Sequence, residues 1–245
     1  MSRLWRIDCL IDIPQSCTHP TLFRHKVESF LNEIRFSFDH ARWLPGKYED
    51  VEKAEAKIPL MQIASSCGLL TPKVSLNSFG SKCNDGYYKK SLGNPFTISF
   101  DTETRDEVAV TLINKLEPPS DEQKLGIPWQ WQTHIESTSQ IRCVLINNKI
   151  RAYKADIAQF KNESLREAQE DGTIITWEKY TLPVEIQSSL LKLTKQLGLT
   201  LCCPEFLVTS EGAHFFIDLN PSGDWYGFLN EEENVVIARL IVEML

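Results

Sequence analysis

The chain has no excess of basic residues, no apolar run long enough to span a membrane and no paired-cysteine motif. Each absence removes a class of function. Lysine and arginine number 26 against 33 acidic residues, giving a net charge of −7 and a pI near 5.3. That balance argues against a sequence-independent grip on nucleic acid, which needs a basic surface. It leaves open a local basic cleft for phosphates, because net charge says little about one cavity. No segment approaches the roughly 18 apolar residues of a spanning helix, and the N-terminus carries no apolar signal-peptide core. The seven cysteines include no CxxC pair and no zinc-like spacing, and their odd number reads as free thiols in a reducing compartment. A soluble, cytoplasmic protein is expected, with neither nucleic acid nor membrane as partner. The five histidines are scattered, and no internal repeat or low-complexity tract is present.

What is there is ordinary globular composition, 42% hydrophobic and 24% charged, patterned as α+β. Leu4 to Ile13 suits a strand, and Leu22 to Ile34 a helix with Phe23, Val27, Phe30, Leu31 and Ile34 on one face. Trp43-Leu44-Pro45-Gly46 punctuates the chain. Glu49 to Cys67 reads as one helix stopped by Gly68, with Pro59 either near a helix start or at a kink. Leu69 to Ser75 enters a short strand, and Gly80 to Gly86 is a polar turn. Thr97 to Phe100 and Val108 to Ile113 are short strands or helix pieces, and residues 118–121 form a loop. Trp129 to Ile135 reads as a strand whose tryptophans share one side, for core packing or, as the alternative, adenine stacking. Ile141 to Ile146 and Lys149 to Asp156 flank Asn147-Asn148 as a hairpin. Phe160 to Gly172 is a charged loop, and Pro183 to Leu197 an amphipathic helix ended by Gly198. Strands at Thr200 to Thr209 and Ala213 to Asn220 follow, and a helix from Val235 to Leu245 closes the chain, with Glu231 to Glu233 in its first turn. Cys202 and Cys203 fall on opposite faces of their strand as small core residues.

The last hairpin carries the chemistry. If Glu211-Gly212 is a two-residue turn, Glu205 falls opposite Asp218, and Cys203 opposite Asn220. The period of two then sets Glu205, Asp218 and Asn220 on one face, with His214 sharing it. Phe206, Val208, Phe215, Ile217 and Leu219 take the other face as core. Two like charges opposed across a ladder destabilise it, and a cation between them reverses that effect. Two carboxylates and an amide oxygen are hard donors that suit Mg2+, which keeps waters and adds substrate phosphates. A solvated charged face is the plainer alternative.

The run Phe216-Ile217-Asp218-Leu219-Asn220-Pro221-Ser222-Gly223-Asp224-Trp225 resembles the metal-binding signature of ATP-grasp ligases. It is most similar to the peptide maturases of the microviridin and graspetide group, where an Asn-Pro-x-Gly-x-Trp run is characteristic. Lys57 stands eleven residues before Gly68 and looks like the family's first nucleotide lysine. Pro128 to Ile135 resembles the hinge between lobes, so Gln132, Thr133 and Ile135 are implied to contact adenine. Gln140-Ile141-Arg142 resembles the strand start whose arginine grips phosphate, and Thr176-Trp177 followed by Pro183 keeps the family's order. The resemblance covers roughly residues 47–230.

The resemblance implies an ATP-grasp fold: a shortened N-terminal segment (1–46), a small lobe (47–125) and a large lobe (126–245) with the metal-binding hairpin. It implies ATP and Mg2+ as cofactors, Arg142 as a catalytic phosphate-binding residue, and Glu205, Asp218 and Asn220 as metal ligands. The activity implied is ligation of a carboxylate, through an acyl-phosphate, to an amine or hydroxyl on a peptide or protein bearing acidic side chains. A homodimer is compatible with these features. The chain departs from the family pattern in several places. The stretch Gly93 to Ser99 has no lysine where the small lobe usually carries its second, although Lys89 and Lys90 stand nearby. Gln132-Thr133 replaces an acidic hinge residue, Glu178 follows Trp177, and Gln140 precedes Ile141. The metal carboxylates exchange sizes, Glu205 for Asp and Asp218 for Glu. These departures favour an alternative: a degenerate member that binds nucleotide or a partner without turnover.

Overall fold

The computed structural model describes residues 3–5, 19–38, 40–77, 87–90, 96–100, 107–111, 113–114, 129–158, 174–221, 223, 225–226 and 228–244. Among these the strands are β1 (Arg3–Trp5), β2 (Arg42–Leu44), β3 (Val74–Asn77), β4 (Tyr87–Lys90), β5 (Phe96–Phe100), β6 (Glu107–Thr111), β7 (Ile113–Asn114), β8 (Trp129–Thr133), β9 (Ser139–Ile146), β10 (Lys149–Asp156), β11 (Glu178–Tyr180), β12 (Leu201–Val208) and β13 (His214–Asn220). The helices are α1 (Pro20–Ser37), α2 (Tyr48–Glu55), α3 (Lys57–Ser66), α4 (Val184–Gln196) and α5 (Glu231–Val242). The expected turns at 80–86 and 118–121 and the loop at 160–172 lie outside the described residues, as does most of the expected first strand.

Proline decides one boundary that periodicity misses. The helix expected over Glu49 to Cys67 is two helices, broken at Ala56 with ψ 97°. Pro59 has no N–H to donate to the carbonyl of Glu55, and its ring would clash there, so one continuous helix is excluded. Pro59 instead sits in the first turn of α3, where neither penalty applies. Both α3 and α4 end on glycines in the left-handed region, Gly68 at φ +95° and Gly198 at φ +70°. The N–H of Leu69 returns to the Ala64 carbonyl, and that of Leu199 to the Thr194 carbonyl, closing the last turns.

A five-stranded antiparallel sheet, ordered β11-β10-β9-β12-β13, forms the centre. Alternation along β9 and β12 feeds two cores. Ile141, Cys143, Leu145, Cys202 and Phe206 pack with residues of α2, α3 and α4, including Val51, Leu60, Leu190 and Leu193. Val144, Ile146, Leu201 and Cys203 pack on the other face with Ile237 and Ile241 of α5, and with Leu44 from the N-terminal segment. Cys202 and Cys203 therefore enter opposite cores, as the sequence indicated. Burial pushes the Cys143 and Cys202 thiols up, which keeps them protonated and inert.

A second, four-stranded sheet is ordered β3-β8-β4-β7, and β5 pairs with β6 separately. Strand β8 leads through residues 134–138 directly into β9, so this short link joins the two sheets. On β8 the side chains of Gln130 and Gln132 are buried, and the expected packing of the tryptophan side chains lies outside what is described. Helix α1 forms as expected but runs longer, and Phe30, assigned to its packed face, is exposed. No described helix is long and apolar enough to cross a membrane.

Candidate functional site

The β12–β13 hairpin brings Glu205 opposite Asp218 and Cys203 opposite Asn220, by a different route from the one the sequence suggests. The turn is a three-residue loop, 210–212. Thr209 N–H donates to the Ala213 carbonyl, and Gly212 sits at φ +83° in the left-handed position such loops require. That odd loop sets Val208 against His214, Leu207 against Phe215 and Phe206 against Phe216, one residue away from the register expected of a two-residue turn. A β-bulge between Glu205 and Phe206 absorbs one extra residue of β13, Ile217, and restores the pairing at Glu205. Two expectations are corrected as a result. Phe216, edge-on to Phe206 at 5.7 Å, is the core residue in place of Phe215 and Ile217. His214 pairs with Val208 on the core face and does not share the face of Asp218.

His214 instead meets Tyr180, whose hydroxyl lies 3.0 Å from its Nε2, while its Nδ1 lies 2.8 Å from the Gly212 carbonyl. Tyr180 belongs to β11 and His214 to β13, the two edges of the sheet, so side chains from opposite edges meet. Burial lowers the pKa of His214 from its usual 6.5.

On the face opposite to α3 and α4, a row of charged and aromatic groups crosses the sheet. Register places Lys179 beside Tyr153, Tyr153 beside Arg142, Arg142 beside Glu205 and Glu205 beside Asp218. Asp218 ion-pairs with Lys57, from the start of α3, and also accepts the Leu219 N–H at 2.7 Å. Glu205 has Arg142 Nε 3.3 Å from one oxygen and accepts the Gln140 amide N–H at 2.8 Å on the other. At the far end, Glu233 of α5 accepts the Tyr153 hydroxyl at 2.6 Å and the Lys179 ammonium at 2.6 Å. The Lys179 and Tyr153 hydrogen bonds hold the Glu233 carboxyl below its usual 4.5. Desolvation and the same bond push the Tyr153 phenol well above 10. The Arg142 guanidinium lies 5.1 Å from the Trp177 ring centre and 5.4 Å from that of Phe228.

The structure thus joins Lys57, Arg142, Glu205 and Asp218 into one group, with Asn220 next in register on the same face. The Asn220 side-chain oxygen accepts the Gly223 N–H at 3.2 Å, which closes the turn after β13. Two carboxylates beside an amide oxygen match a hard divalent cation. Among the described residues no three His, Cys, Asp or Glu side chains cluster as a metal site, so this mixed set is what the hairpin offers. The sequence argument gave a divalent ion the task of relieving the carboxylate repulsion. In this structure Lys57 and Arg142 already do so. Gln132, Thr133 and Ile135 are not joined to the group by any described contact; they lie at the end of β8 and on the link to β9. Gln132 is buried, with no hydrogen bond on its side-chain oxygen among the described residues.

Tyr153 and Phe228 were not expected at the site, and Gln140, Lys179 and Glu233 were noted in the sequence without a place in this group. For Glu233 a signal existed: Asn230 caps α5 by accepting the Glu233 N–H at 2.9 Å, and Asn-x-x-Glu is a helix-start pattern. A separate surface depression, lined by Asn147, Asn148, Lys192 and Lys195 among others, contains none of the site residues.

No family model matches the sequence, and none of the curated proteins matches it. Solved structures do match. The macrocyclase MdnC of Microcystis aeruginosa MRC, bound with precursor peptide MdnA, superposes with a TM-score of 0.76 at 19% identity, covering 100% of this chain and 78% of that one. The macrocyclase MdnB of the same organism gives 0.74 at 20% identity, covering 99% and 76%. An RiPP-associated ATP-grasp ligase of Chryseobacterium gregarium, in complex with ADP and a leader and core peptide, gives 0.70 at 18% identity, covering 100% and 76%.

Proposed function

The chain has the ATP-grasp fold, and from that premise we propose that it is an ATP- and magnesium-dependent ligase acting on a peptide or protein substrate. It would activate a carboxylate as an acyl-phosphate for attack by an amine or a hydroxyl. The observation that carries this reading is the Glu205–Asp218 pair, with a cation from the chain on each carboxylate.

In this reading residues 47–125 contribute the small lobe and 126–245 the large lobe, with 1–46 preceding them. Glu205, Asp218 and Asn220 would hold Mg2+, which supplies charge neutralisation at phosphate oxygens during phosphoryl transfer. Lys57 and Arg142, which pair with the carboxylates here, would turn to the nucleotide phosphates once a divalent ion was bound. Arginine's fork suits phosphate oxygens, and lysine acts there as a point charge. Gln140 keeps its hold on Glu205 through the exchange and orients that carboxylate. Gln132, Thr133 and Ile135 would contact adenine from the link between the sheets. The cation pairs spare the nucleotide-free chain from two uncompensated, partly buried carboxylates, whose mutual repulsion would destabilise the hairpin.

The test is the thermal midpoint with and without Mg2+ and ATP. At 100 times the Kd, binding stabilises by about 2.7 kcal/mol. For a chain of 245 residues that raises the midpoint by roughly 5–10 °C. Asp218→Ala should abolish the rise. A second reading, a degenerate member that binds without turnover, is favoured by the lysine already seated on Asp218 and by the lysine-free stretch Gly93 to Ser99. A midpoint rise with no ADP formed, in the presence of a candidate acidic peptide, would select it.

A further inference from the structure

Two buried N–H donors of the site have no acceptor. The indole Nε1–H of Trp177 and the Nε–H of Arg142 are both shut off from solvent, and neither makes a hydrogen bond among the described residues. Glu205 stands 3.3 Å from Arg142 Nε, close enough for charge attraction, but the N–H is out of line for a bond. The two donors belong to one contact, since the Arg142 guanidinium lies 5.1 Å from the Trp177 ring centre. Phe228 closes over both, its ring centre 5.2 Å from that of Trp177 and 5.4 Å from the guanidinium. Buried donors are nearly always paired, and an orphan carries the cost of its lost hydration. Packing against an arginine asks only for an apolar ring, which phenylalanine supplies without that cost. The charge of Arg142 faces Glu205, but two N–H groups beside it make no hydrogen bond among the described residues, and such donors next to a cation suit an anionic oxygen.

We propose that Trp177 and Arg142 form a two-donor seat for one anionic oxygen of a phosphoryl or carboxylate group, with Phe228 covering it until that group enters. The proposal rests on the nucleotide-dependent ligase reading and adds Trp177 to its binding residues. The indole would add one more fixed donor direction to those of the guanidinium fork, so that a single oxygen is held from two sides.

The test follows the indole N–H signals of 15N-labelled protein by NMR. The chain has six tryptophans, and Trp177→Phe, which keeps a ring beside Arg142 and Phe228, identifies the signal that belongs to Trp177. One arm adds Mg2+ with a non-hydrolysable ATP analogue, to present a terminal phosphoryl oxygen. The other adds Mg2+, ADP and N-acetylglutamate amide, to present a carboxylate. A downfield move of that one signal in either arm supports the seat and says which oxygen fills it. Trp177→Phe should then weaken that probe about tenfold, with the unliganded thermal midpoint equal or higher. If the nucleotide raises the midpoint while the Trp177 signal stays fixed in both arms, the seat is wrong and the nucleotide site stands. If no nucleotide binds, both fall. The wild-type titration is decisive by itself should the variant fold poorly.

Discussion

At the residue scale, the site is a set of charges that satisfy one another. Lys57 holds Asp218, Arg142 holds Glu205, and Lys179 with Tyr153 holds Glu233. The first two pairs are the ones the proposed function asks to exchange. Lys57→Met should therefore act in opposite directions on two ligands. Affinity for Mg–ATP should fall about tenfold or more, because a charge-assisted contact is lost. Mn2+ alone should bind the carboxylates more tightly, because its competitor is gone, and titration calorimetry of each ligand checks both signs. The Glu233 group is structural. Its carboxyl is held below the usual value and is nearly buried, so its contribution is present above about pH 4.5 and is lost as pH falls through the depressed value. Tyr153 titrates above its usual 10, so its contribution is present below pH 10 and is lost as pH rises past it. Glu233→Ala orphans the Tyr153 hydroxyl and should cost about 2–3 kcal/mol in urea unfolding at pH 7. Glu233→Gln should flatten the wild-type loss of stability between pH 5 and 3.

At the element scale, most of the fold was legible because alternation and helix stops are local. The β9–β10 hairpin, the core face of α4 on Leu190, Leu193 and Leu197, and the glycine stops at Gly68 and Gly198 follow from spacing alone. The Glu205–Asp218 pairing was legible too, although two errors of one residue cancelled: a three-residue turn and a bulge at Ile217. A bulge is set by how both strands pack, so no local pattern announces it. For that reason Phe215 and Ile217 were expected in the core and His214 on the face of Asp218. The break at Ala56 was recoverable from Pro59, whereas the burial of Gln130 and Gln132 on β8 was not, since a polar side chain gives no core signal. Gly198 illustrates a position where one atom matters. A Cβ there would run into the Asp50 carboxylate of α2 and would require φ +70° of an L-residue. Gly198→Ala should cost about 1–3 kcal/mol, read as a lower urea midpoint with an unchanged slope. The clasp between the sheet edges gives a pH dependence of its own. Native His214 favours the neutral ring, so stability should decline as pH drops from about 6.5 through its lowered value. Phenylalanine at position 180 or glutamine at position 214 should weaken the clasp, and the latter should remove that slope.

At the scale of the whole molecule, one sheet separates two cores and presents its charged row where α5 stops covering it. Helix α5 packs on Val144 and Ile146, and Arg142 lies two residues earlier on the same face of β9. Alternation in β9 thus sets apolar packing and polar chemistry on one surface. The likeness to the MdnC, MdnB and Chryseobacterium gregarium structures extends over nearly the full chain, which fixes the fold although identity is 18–20%. Sequence carried the fold this far because strand alternation, the last hairpin and the glycine helix stops are written at characteristic spacings. It could not carry the charge pairing, because Lys57 and Asp218 are 161 residues apart and meet only once α3 has packed beside β13.

The most direct measurement is the electron paramagnetic resonance spectrum of Mn2+ with ADP, standing in for the magnesium nucleotide, on the wild type and on Glu205→Gln and Asp218→Asn. The account predicts a bound-manganese spectrum for the wild type that requires nucleotide and is lost in both variants while their fold persists. Manganese bound equally by all three proteins, or by none in the presence of ADP, would contradict it.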